Sequence, residues 1–174
     1  MSIPNETKAI FATLQTDFAN ATADQGLGSL GEWPPKGEHN CYVLGMNISE
    51  GTFRQTGDGQ EFPAMVVQFH YQLCEDPDRA EPLIWKGAPM TVPADPTVLT
   101  HEGSQIRARI ELGRLKGHMK TILSYDPVDI GAAFEEIEEK LNGDQTVAAV
   151  VRCQYTERNN RTYRSEFLQS LLGG

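Results

Sequence analysis

Two hydrophobic periods divide the chain. Residues 5–21 carry Ile10, Phe11, Leu14 and Phe18 at helical spacing, with Asn5 or Thr7 placed to cap the start. Such a stripe either packs on the main core or docks a partner or a second copy. "GLGSLGEWPPKGE" follows, with four glycines and two prolines, and reads as a linker or long loop. From residue 41 the period becomes two. In "CYVLGMNIS", Tyr42, Leu44, Met46 and Ile48 share a face, and Gly45 marks a bulge or bend. The turn signal Gly57-Asp58-Gly59 comes next. In "AMVVQFHYQL", Met65, Val67, Phe69, Tyr71 and Leu73 point one way and Gln68, His70 and Gln72 the other. "LIWKGAPMTV" reads as a third strand, with Pro89 keeping its far end at an edge.

Helical spacing returns over 104–123 through Ile106, Ile110, Leu115, Met119 and Ile122, with Gly113 and Gly117 as weak points. "DIGAAFEEIEEKLNG" is the clearest helix, with a stripe of Ile130, Phe134, Ile137 and Leu141 and a stop at Asn142-Gly143. "TVAAVVRCQY" predicts a strand with Val147, Ala149, Val151, Cys153 and Tyr155 inward. Asn159-Asn160 turns it back into "RTYRSEFL", because asparagine tolerates positive φ. The order is helix, three strands, a helical region and a hairpin. It predicts a mainly β (α+β) fold, a five-stranded OB-type barrel with a helix between strands 3 and 4 and an extra N-terminal helix. Residues 1–36 form the helix and linker, and 37–174 the barrel domain. Small β-barrels of other kinds share this order.

Charge changes the picture. The 174 residues sum to −9, yet nine of the 15 Lys and Arg fall within 107–120 and 152–164. An acidic chain does not coat duplex DNA indiscriminately, although it can carry a local basic groove. No run of 18 apolar residues spans a membrane, and "MSIPNETKAIF" lacks a secretory pattern. Three scattered cysteines suit reduced thiols, so a cytoplasmic location is expected.

The stretch "RCQYTERNNRTYRSEF" gathers what a single strand needs, cations for phosphates and rings for unpaired bases. Arg152, Arg158, Arg161, Tyr163 and Arg164 are its candidates. Phe53 and Arg54, in the loop after the first strand, are the candidates on the opposite wall. Trp85 and Lys86 are candidates for the groove floor. The plainer alternatives are solubilising arginines at a hairpin end, a core tryptophan, and a wet helix face over 107–120.

Catalytic patterns are poorer. His39 and Cys41 are too few for a zinc site, and His70 and Cys74 lie roughly 13 Å apart along a strand. No Walker loop and no Gly-x-Ser-x-Gly elbow is present. The expectation is a binding protein without cofactor or metal, not an enzyme.

Residues 37–168 resemble a group of phage and prophage OB-fold single-stranded DNA-binding proteins. The resemblance rests on "GEHNCYVLGMNIS", a Gly-to-Tyr opening strand from Gly37 to Tyr42, and on "QTGDGQEFPAMVVQFHYQL", a glycine turn before an apolar strand. It also rests on "LNGDQTVAAVVRCQY", with Asp144 where lysine is common, and on the polar hairpin "TERNNRTYRSEF". It implies binding of single-stranded DNA with low sequence preference in replication or recombination, by arginine–phosphate contact and base stacking. A homo-oligomer through the N-terminal helix is a further expectation. The alternative is a β-barrel scaffold or protein-interaction module that docks through Phe11, Leu14 and Phe18.

Overall fold

The computed structural model describes residues 32–75 and 80–173, together with Lys8, Phe11 and Gln15, three isolated helical and exposed positions. The rest of the expected N-terminal helix, and the linker as far as Gly31, lie outside the described residues, as does any oligomer formed through that helix. Within them, β1 (Gly37–Arg54), β2 (Glu61–Leu73), β3 (Ile84–Lys86), β4 (Met90–Pro93), β5 (Ala148–Arg158) and β6 (Arg161–Leu171) form one sheet. α1 (Glu102–Leu123) and α2 (Ile130–Asn142) lie between β4 and β5. The class is mainly β with two helices, as the periods predict.

The sheet runs β3-β2-β1-β5-β6, with β4 also on β2, and every pairing is antiparallel. β1 serves two neighbours. Residues 37–42 pair with β5, and 41–54 pair with β2. The bulge expected near Gly45 is present, with the register slipping between Val43 and Gly45. It also corrects the predicted inner face. Before the slip, Cys41 and Val43 are buried. Leu44 is the extra residue, so parity inverts and Met46 then packs on the core. Leu44 and Ile48 remain exposed.

The expected third strand splits in two. β3 pairs with His70–Gln72 and β4 with Ala64–Val67, two halves of one edge. The break falls at Gly87, whose N–H donates to Phe69 O at 2.8 Å. A Cβ at Gly87 would lie 2.7 Å from the Tyr71 ring, so the backbone approaches there as only glycine permits.

α1 is unbroken through Gly113 and Gly117. The His101 ring accepts from the Ser104 N–H at its start, and Ser124 closes it in the left-handed region. The core lies between the inner face of the sheet and the helices. Val67, Phe69 and Tyr71 of β2 meet Ala149, Val151 and Cys153 of β5, and Leu115, Met119 and Ile122 of α1. Each large apolar side chain buried here contributes roughly 1.5–3 kcal/mol.

Among the described residues no backbone ladder closes the sheet. Side chains bridge its two edges instead. Glu166 on β6 accepts the Ala88 N–H at 2.7 Å, and the Arg164 guanidinium donates to the Lys86 carbonyl. α1 spans the same gap further along. Glu111 accepts the Thr91 N–H at 3.0 Å, and Thr121 Oγ1 lies 3.3 Å from Leu168 O. Edge groups that would otherwise be orphaned are thus satisfied.

Candidate nucleic-acid interface

The β5–β6 hairpin turns at Asn159 and Asn160, both left-handed with φ of 51° and 61°. Two successive left-handed residues make the turn whose twist matches that of the strands. The ladder then assigns faces. Cys153, Arg164, Glu166 and Leu168 point inward. Alternation therefore sends the cross-strand pairs Arg158–Arg161, Thr156–Tyr163, Gln154–Ser165 and Arg152–Phe167 to the outer face. From the Arg158–Arg161 pair to the Arg152–Phe167 pair the ribbon runs about 20 Å.

Four of the predicted residues, Arg152, Arg158, Arg161 and Tyr163, therefore share one surface. Arg158 and Arg161 are exposed at the tip, and the Tyr163 ring is 51 % exposed. Arg152 lies flatter, its guanidinium 5.3 Å from the Phe167 ring centroid, with Arg114 of α1 at 5.7 Å. Two cations thus flank one ring, each attracted by its quadrupole. Lys86 joins the surface from β3. Its carbonyl accepts from Arg164, and its own side chain is exposed beside that seam. Glu38 of β1 faces Arg152 across the ladder, so this end carries a carboxylate as well.

The remaining candidates lie elsewhere. Arg164 is inward and only 9 % exposed. It forms an ion pair with Glu166 at 3.5 Å and lies over the Trp33 ring. Burial pulls its pKa down to about 10, against the opposing pull of Glu166. Trp85 is 3 % exposed and packs its ring on Tyr71, so it belongs to the core and not to a groove floor. Phe53 is 2 % exposed, covered by the Arg107 guanidinium 4.2 Å from its centroid. Arg54 is exposed but ends β1 opposite Glu61, whereas Gly37 is the residue that meets β5. About 56 Å of strand contour separates those two ends. Phe53 is therefore interior and offers no open ring to a groove, while Arg54 sits beside the start of α1, its carbonyl accepting from Arg107.

Other outward residues lay outside the predicted site. Opposite Lys86 stands His70, and opposite Ile84 stands Gln72, itself paired with Tyr42. Burial and then the Lys86 charge hold the His70 imidazole below its usual pKa. The period of two had already set Gln68, His70 and Gln72 on the polar face. Phe167 was legible only as an apolar residue in a strand. The aromatic role of Phe167 depends on Arg114, 53 positions away.

The other chemistry weighed in the sequence is turned to the backbone. His39 Nε2 pairs with Pro35 O at 2.7 Å, and the Cys41 thiol donates to His39 O at 3.4 Å. Among the described residues no three His, Cys, Asp or Glu cluster as metal ligands, and no helix is long and apolar enough to cross a membrane. No family model matches the chain, and no curated protein or solved structure matches it at a significant level.

Proposed function

We propose that this chain binds single-stranded DNA with little sequence preference, along the outer face of the β5–β6 hairpin and the adjoining β3. The observation that carries the reading is the shared surface of Arg152, Arg158, Arg161 and Tyr163 in a chain of charge −9. Guanidinium groups take phosphate oxygens in two-pronged hydrogen bonds, and an exposed tyrosine offers a π-face that any base can stack upon. The acidic remainder repels a polyanion and so confines it to this stripe. The strand path supports an OB-type barrel. β3 and β6 are the two edges of the sheet, bridged by Arg164 and Glu166, the two helices sit between β4 and β5, and on this reading the hairpin is the counterpart of the loop that walls the ligand groove in that fold. Handling exposed strands in replication or recombination is the process such binding serves.

The test is a fluorescence titration with oligo-dT at low salt, repeated with oligo-rU. Saturable binding that weakens with salt is expected. With about four phosphate contacts, log K should fall with log salt at a slope of about −3. No signal change up to tens of micromolar protein removes the proposal.

A second reading, a protein-interaction module, is favoured by one observation. An apolar groove lies open beside α1, away from the hairpin.

A further inference from the structure

That groove is built from Val92 and Pro93 of β4, Pro96 just after it, Ala108 and Leu112 of α1, and Ile130 of α2, around about 360 Å³. A hollow of about 140 Å³ continues it past Leu112 and Ile130 to Pro127 and Val128. Its rim is mostly apolar and wet, with Arg109 and Lys116 the charged side chains on it. Val128 is 96 % exposed, Ile130 48 % and Leu112 43 %. Water contact over joined apolar surface of this kind costs free energy that a covering element would recover.

We propose that the groove receives the apolar stripe Ile10, Phe11, Leu14 and Phe18 of the same chain. Anchors at helical spacing are the side-chain pattern that fills an elongated apolar groove. Phe11 is half exposed at its described position, so its ring still has surface to bury.

Reach decides between the chain's own stripe and that of a second copy. The chain enters the folded body at Trp33 and Pro34. Trp33 lies under Arg164, and Pro34 is fully buried with its carbonyl bound by the Tyr155 hydroxyl. Arg164 also marks Lys86. Seven residues lead along that edge from Lys86 to Pro93 at the groove, at most about 23 Å. Residues 19–31 supply thirteen positions between stripe and entry point, rich in Gly, Ala and Ser. Thirteen residues reach at most about 45 Å when fully extended. That reach covers the gap, which sets the effective concentration of the tethered stripe near the millimolar range. A second copy at micromolar concentration competes poorly with that.

The experiment is a double-mutant cycle in the full chain. Phe11→Glu with Leu14→Glu changes the stripe, and Leu112→Glu with Ile130→Glu changes the groove at positions already wet. Each pair is expected to lower Tm by about 3 °C or more. The four substitutions together should lower it no further than the larger single effect, because both pairs remove the same contact. Elution at the monomer volume, independent of concentration, accompanies that result. Unchanged Tm for either pair, or additive losses, overturns the proposal. A dimer that either pair dissolves also overturns it, by assigning the groove to a second copy. If the glutamate variants lose a cooperative melt, alanine at the same positions carries the same cycle and the same readings.

Discussion

Arg164 and Glu166 stand two residues apart on β6, and together they join the two edges of the sheet. Arg164 donates to the carbonyl of Lys86 while Glu166 accepts from the N–H of Ala88. Lys86 to Ala88 and Arg164 to Glu166 advance in step, so two charged side chains replace a stretch of missing ladder. Their side chains are 4 % and 3 % exposed.

Removing one partner leaves the other charged, buried and alone. Glu166→Ala should cost about 3–5 kcal/mol in urea denaturation, since it also orphans the Ala88 N–H. The double variant Arg164→Met/Glu166→Leu should recover the part of that loss due to the unpaired charge, because an apolar pair carries no desolvation penalty, while the Ala88 N–H stays orphaned. A single loss under about 1 kcal/mol would show that the pair is not the clasp.

Stability should fall on acidification through a histidine. His118 is buried in α1, stacked on Phe69 with centroids 5.3 Å apart, its Nδ1 2.8 Å from Arg114 O. Burial pulls its pKa down to about 4, the bond to Arg114 O opposing and the Arg114 charge assisting. In the unfolded chain the ring titrates near 6.5. Between those values the unfolded chain takes a proton that the folded one refuses. Stability should therefore decline from pH 6.5 to 4 by up to about 1.4 kcal/mol per unit, roughly 3 kcal/mol in all. Above 6.5 the ring contributes no slope. Thermal melts across this range for the native chain and His118→Leu check it, and an equal slope in both would discount the histidine.

The three cysteines should split two and one. Cys41 and Cys153 are buried, and burial pushes both thiols up to about 12, with the neighbouring cysteines adding to the rise at Cys41 and Glu166 adding to it at Cys153 against the pull of Arg164. Cys74 is partly exposed, with burial raising it less. The thiolate is the reactive form, so one thiol should react with a disulfide reagent at pH 8 and three after unfolding. Rapid modification of all three in the native state would contradict the buried placement.

The binding surface makes a directional prediction. Arg158→Glu with Arg161→Glu should weaken oligo-dT binding by at least about tenfold, since each phosphate contact is charge-assisted, with Tm nearly unchanged at an exposed turn. Tyr163→Ala should cost about 1–3 kcal/mol of binding. Arg54→Glu, at the far end of β1, should leave affinity close to native. Equal losses from Arg54 and from the tip would indicate a diffuse attraction without a site.

Much of the secondary structure was readable because its signals are local. Alternation set the inner faces of β2 and β5 correctly: Val67, Phe69 and Tyr71 are buried, as are Ala149, Val151 and Cys153. Asn159-Asn160 fixed the hairpin, and with it the common outer face of Arg152, Arg158, Arg161 and Tyr163. Where the reading failed, a non-local packing event intervened. One extra residue at Leu44 inverted the parity of β1, and the close approach of Gly87 to Tyr71 cut one strand into two.

By itself, the sequence determined which residues alternate, where the chain turns and where positive charge gathers, because spacing and backbone preference act over a few residues. The tertiary structure alone decided which ring or guanidinium meets water. Phe53, Trp85 and Arg164 looked like surface chemistry in one dimension and are interior in three. A ring in a strand is stacking surface or core according to what folds over it, and here α1 and the curl of the sheet bring those covers from tens of residues away.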